Sequence, residues 1–78
     1  MSNIDTLLEA ADEWREAVNI FDTEMAERHQ DFFYGLVGSL TESGTITPTD
    51  AGQIIATTGR YLQYGQRDDL ENVLHELV

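Results

Sequence analysis

The chain has 78 residues and no cysteine, and sets fifteen acidic side chains against four basic ones, for a formal net charge of -11. This length predicts a single helical domain over residues 1–78 with a small core that buries only about 60% of the unfolded surface, and the missing thiols exclude disulfide staples and thiolate metal sites. So acidic a surface repels duplex DNA, RNA and anionic membranes, which argues against direct nucleic-acid binding and against a membrane partner.

The first predicted element is a long helix from about Ile4 to about Leu40, with a possible bend near Asp22. Apolar residues recur at Ile4, Leu7, Leu8, Ala11, Trp14, Val18, Phe21 and Met25, the alternating spacing of a heptad stripe. The stripe continues through His29, Phe32, Phe33, Leu36 and Leu40, and neither Pro nor Gly interrupts residues 3 to 34. At the rise of an α-helix such an element would run to roughly 55 Å. Asp22 and Thr23 are of the type that starts a helix, but Glu24 does not stand at the capping-box spacing from either. A break there would instead give a monomeric four-helix bundle.

Gly44 then marks a chain reversal, and Thr47-Pro48-Thr49-Asp50 reads as an N-cap, a first-turn proline and a third-position acid. The second predicted helix spans Pro48 to Tyr64, with Ala51, Ile54, Ile55, Thr58, Tyr61 and Leu62 on its apolar face and Gly65 as its left-handed cap. The third opens at Asp68, with Glu71 three residues on, and buries Leu70, Val73, Leu74, Leu77 and Val78. The fold class expected is therefore all-α, a long N-terminal helix plus a C-terminal helical hairpin. Three adjacent aromatics, Phe32, Phe33 and Tyr34, cannot share one stripe, because successive helical residues point about 100° apart. They predict a segment covered on several sides, with Gly35, Gly38 and Gly59 permitting close crossings.

Because the hairpin covers only one end of the long helix, Leu7, Ala11, Trp14, Val18 and Phe21 are left as a narrow seam. The simplest cover is a second copy of the chain, so the expected assembly is an isologous homodimer. Opposite the seam, Asp5, Glu9, Asp12, Glu13 and Glu16 form an acidic face with about one carboxylate per 3 Å of helix rise, close to the phosphate spacing of one DNA strand. In physical character this face is similar to those of small phage inhibitors of restriction or CRISPR enzymes, so the second reading is an acidic nucleic-acid mimic that blocks a basic cleft. Many acids, no lysine and frequent threonine also match proteins of salt-loving cells, in whose molar salt acids barely repel one another.

A third reading takes Glu13-x-x-Glu16 with Glu24-x-x-Glu27 and Asp31 as hard-cation ligands, similar to the carboxylate pairs of helical nucleotide pyrophosphohydrolases. It departs from that pattern in placing both pairs on one predicted helix and in offering no lysine for phosphate. His29 falls on the apolar stripe and reads as a hydrogen-bonded core histidine, and His75 has no matched partner. The segment after Thr47 resembles a DNA-reading helix, but only Arg60 and Arg67 could meet phosphates. No serine stands in a Gly-x-Ser-x-Gly context and no glycine loop is built to cradle phosphate. The sequence therefore predicts no catalytic residue, no cofactor and no metal. It predicts a protein–protein adaptor or regulator from a halophile or its virus, paired with itself and with a second protein. The opening segment is acidic where a secretory signal is basic, which predicts a cytoplasmic location.

Overall fold

The computed structural model describes residues 2–78. Four helices follow in order, α1 (Asn3–Asn19), α2 (Thr23–Glu42), α3 (Pro48–Tyr64) and α4 (Arg67–Leu77). The all-helical class is as expected, but the long first helix is two helices. The chain reverses at Ile20–Asp22 and lays α2 back along α1.

Local hydrogen bonding explains the break. The N–H of Phe21 donates to the Val18 carbonyl at 3.1 Å, and the N–H of Asp22 reaches back to the Ala17 carbonyl at 3.0 Å. This pair of bonds is a Schellman closure, in which the residue after the cap sits in the left-handed region. Phe21 occupies that position with φ 59°, the sole non-glycine residue with positive φ among those described. Asp22 then caps α2 at once, its carboxylate accepting from the Met25 N–H at 3.1 Å. The same closure ends α2, where Gly44 (φ 78°) donates to Thr41 and Thr45 donates to Leu40. Two identical reversals thus use a glycine once and a phenylalanine once.

The helix ends follow capping chemistry. Ser2 accepts from the Asp5 N–H to start α1, and Thr47 and Asp50 exchange bonds in a complete capping box with Pro48 in the first turn of α3. Gly65 closes α3 in the left-handed region at φ 76°. The α4 cap expected at Asp68 lies elsewhere: Gln66 precedes the helix without a side-chain cap, and Asp68 and Asp69 occupy the first turn, where they favour the helix dipole.

α1 and α3 each pack on all three other helices, while α2 and α4 do not pair with each other. Ala10, Ala11 and Ala17 are buried on α1, and half-buried Ala26 packs at the edge of the core. These small side chains allow close approach, in place of the glycines. A Cβ built on Gly35, Gly38 or Gly59 meets nothing within 4 Å, so none of the three marks a close crossing. Phe33, Leu7, Ile54, Leu70 and Leu74 are fully buried and draw all four helices into one core. Thr57 and Thr58 are also buried, each hydroxyl donating at 2.8 Å to the carbonyl four residues back.

Of the three adjacent aromatics only Phe33 is covered. Its neighbours diverge to the two flanks of α2, leaving Phe32 54% and Tyr34 42% exposed. Trp14 packs against the Phe33 ring at 5.7 Å and meets Tyr34 edge-on at 6.0 Å. The expectation that this segment is covered on several sides is therefore corrected. α3 and α4 cover one side of the α1–α2 hairpin and leave the other open.

Candidate protein-interaction surface

The reversal at Phe21 decides what happens to the expected seam. Leu7, Ala11 and Trp14 are buried by the chain's own helices, so these three need no second copy to cover them. Val18 and Phe21, the last two members, remain exposed at the corner between α1 and α2. There the surface is apolar: Phe21 is 91% exposed, Ile20 65% and Met25 42%.

Two shallow depressions meet at this corner. One is lined by Ala17, Val18, Phe21, Asp22, Thr23 and Ala26. The other, on the open side of the hairpin, is lined by Glu13, Glu16, Ala17, Ile20, Met25 and His29. Ala17, buried between the two helices, borders both. Val18, Thr23 and Ala26 of the first also line the groove towards α3, so the two depressions flank the tip of the hairpin on its two sides. Met25, His29, Phe32 and Leu36 follow one another at spacings of four, three and four, which places them on one face of α2. That face carries the open side towards a further depression lined by Thr6, Leu36 and Leu40 near the far end of the hairpin. His29 is not a core histidine: it is half-buried on this open face, its Nδ1 4.0 Å from the Glu13 carboxylate.

The predicted acidic face divides. Asp5, Glu9, Glu13 and Glu16 are exposed. Asp12 turns inward instead, and accepts hydrogen bonds from the Tyr61 hydroxyl and, bidentately, from Arg67 Nε at 3.0 Å and Nη2 at 3.1 Å. Arg67 also reaches Glu71 at 3.5 Å. Arg15 completes the cluster, donating to the Tyr61 carbonyl at 3.3 Å and standing over the Tyr61 ring at 5.4 Å. Partial burial would raise the Asp12 carboxyl, but hydrogen bonds from Arg67 and Tyr61 and the guanidinium charges outweigh it, so Asp12 titrates below the ordinary carboxylate range. Burial, and the bond to Asp12, push the Tyr61 hydroxyl upward. The cluster is a latch that ties α1 to the α3–α4 junction.

Sequence reasoning missed this latch because its partners lie 49 and 55 residues apart, beyond any local periodicity. Position gave no local signal either: on a helical wheel Asp12 stands about 20° from Asp5 and about 40° from both Glu16 and Leu8, so it reads as one of the exposed acids.

The carboxylate pairs proposed as cation ligands face apart. Glu13 and Glu16 line the open side of the hairpin, whereas Glu27 lines a groove on the opposite side with Trp14, Gly59 and Leu62. Among the described residues no three His, Asp or Glu side chains converge as a metal-holding group. No described helix is long and apolar enough to cross a membrane. Comparison with known proteins finds no family model, no curated protein and no solved structure that matches this chain.

Proposed function

We propose that the chain is a non-catalytic protein–protein interaction module, an adaptor or small regulator, whose contact surface is the corner and open side of the α1–α2 hairpin. One observation supports this most: Phe21 is a bulky residue in a left-handed backbone position, with its ring almost wholly in solvent. The left-handed conformation costs a non-glycine residue about 1–2 kcal/mol, and a bare phenyl ring returns nothing to the free monomer. Glycine would close α1 without that cost, as Gly44 closes α2. A residue that is strained and exposed at once is accounted for by a partner that takes up the ring.

The test is position-specific photocrosslinking in the source cells. A benzoylphenylalanine at position 21 is expected to form one discrete adduct with a second protein, and the same probe at exposed Asn72 on α4 is expected to form none. Equal adducts at both positions, or none at either, would defeat this reading. An adduct with another copy of the same chain would make the module a homodimer that uses this corner in place of the predicted seam.

The nucleic-acid mimic is kept as a second reading on one observation. Asp5, Glu9, Glu13 and Glu16 stand in solvent along α1, and about 16 Å of helix rise separates the first from the last. Neutralising those four side chains is expected to abolish inhibition of a DNA- or RNA-binding target in that reading, and to leave the Phe21 adduct in place in the first.

A further inference from the structure

We propose that the open side of the α1–α2 hairpin docks a cationic amphipathic helix of a partner protein. This rests on the interaction reading above and names the partner's chemistry.

Shape is the first ground. Ala17, Ile20 and Met25 form an apolar floor at the corner. Phe32 and Leu36 extend it along α2, and from Met25 to Leu36 it runs about 16 Å, three helical turns. A ridge of this length with residues at i, i+4, i+7 and i+11 matches the apolar stripe of another helix.

Charge is the second ground. Glu9, Glu13 and Glu16 stand exposed on the α1 side of that floor. Every arginine is engaged elsewhere: Arg15 with Tyr61, Arg28 with Glu24 at 2.8 Å, Arg60 with Thr57 and Arg67 with Asp12 and Glu71. Among the described residues only His29 approaches any of the three glutamates. The rim therefore presents uncompensated negative charge beside an apolar floor, which attracts lysines or arginines flanking an apolar stripe. A second copy would bring its own Glu9, Glu13 and Glu16 and a further charge of -11 against the same rim, and like charges facing one another oppose pairing.

The experiment uses the full chain and two synthetic helical peptides of about 18 residues, ~27 Å long as helices. One has leucines on one face and lysines on the other, and the second replaces each lysine by glutamate. Binding is measured by calorimetry in about 0.1 M KCl, where surface charges still act over ~10 Å, and located by backbone amide shifts. The Leu/Lys peptide is expected to bind and to shift Ile20, Met25, His29 and Phe32, while the Leu/Glu peptide does not bind. The double variant Met25→Ser/Phe32→Ser, both at exposed positions, is expected to keep native helicity and to bind about tenfold more weakly, ~1.4 kcal/mol. The triple variant Glu9→Gln/Glu13→Gln/Glu16→Gln is expected to lose affinity similarly and to bind with a flatter salt dependence. Shifts confined to other surfaces, equal binding of both peptides, or affinity unchanged in the apolar double variant would each overturn the proposal. If the Phe21 adduct forms in cells but the cationic peptide does not bind, the interaction reading stands and the partner chemistry assigned here is wrong. If neither occurs, both fall.

Discussion

Phe21 and Asp12 show how single residues set the properties of this small fold. Phe21 closes α1 in a backbone region that suits glycine, and its ring packs on nothing that would compensate. Replacing it by glycine relieves about 1–2 kcal/mol of strain and returns about 0.5–1 kcal/mol to the flexibility of the unfolded chain. Phe21→Gly is therefore expected to raise stability by about 0.5–1 kcal/mol in thermal melting, while abolishing whatever binding the corner supports. A clear drop in melting temperature would show that the ring stabilises the free protein, and the case for a docking anchor would lose its footing. Asp12 acts in the opposite sense. Its folded-state value is depressed, so its stabilising contribution is complete above the unfolded carboxylate value of about 3.9. It is lost as pH falls through the lower folded value. Asp12→Asn is expected to cost about 1–2 kcal/mol at neutral pH, a modest figure because the Arg67 pair is partly exposed. The gap between wild type and variant should close below about pH 4, and urea titrations at several pH values measure it. A gap constant across that range would mean that the carboxylate charge does not hold the latch.

At the scale of the helices, propensity and packing do not always agree. Gly35 and Gly38 lie in the interior of α2 with open space where a methyl group would stand. Glycine there weakens the helix by about 0.5–1 kcal/mol relative to alanine. Gly35→Ala/Gly38→Ala is expected to raise stability by about 1–2 kcal/mol, or roughly 4–8 °C in melting temperature per kcal/mol for a domain this small. No gain would mean that an unseen contact already uses the open face. These elements also show what the sequence made legible. Thr47, Pro48 and Asp50 placed the start of α3 because capping chemistry is local, and Gly44 and Gly65 placed reversals because glycine marks the left-handed region. The reversal at Asn19–Thr23 was legible only as the alternative to one long helix, because Phe21 carries no such mark and Asp22 caps α2 without the acid three residues later that completes a box. Merging α1 and α2 then created the seam, since a stripe that looked uncovered along one long helix is covered once the helix folds back. Of the surface proposed here, Val18, Phe21, Met25 and Phe32 were visible in the apolar stripe. Ile20 was not, and it became a neighbour of Met25 only when the hairpin existed.

The whole molecule combines a small core with a large excess of one charge. Its radius of gyration is 11.7 Å, close to the ~11.5 Å of a compact domain of this length, so fourteen acids other than Asp12 share a tight volume with few cations. Their mutual repulsion favours the expanded chain and is felt most in dilute salt, where the screening length is about 10 Å at 0.1 M, falling to ~3 Å at 1 M. The same screening weakens the Asp12–Arg67 pair, but that pair is one partly exposed contact against many repulsive ones. Stability is therefore expected to rise from about 0.1 M to ~1 M KCl, as a higher midpoint in urea and a higher melting temperature. Salt also strengthens apolar burial, so a charge-reduced chain is the necessary comparison. Asp5→Asn/Glu9→Gln/Glu16→Gln removes exposed charges without touching the core or the latch, and should be more stable than wild type in dilute salt and respond less to KCl. If both chains respond alike, salt acts on the core and not on the acids. The excess of carboxylates is then tolerated without screening, which strengthens the case that they face a cationic partner.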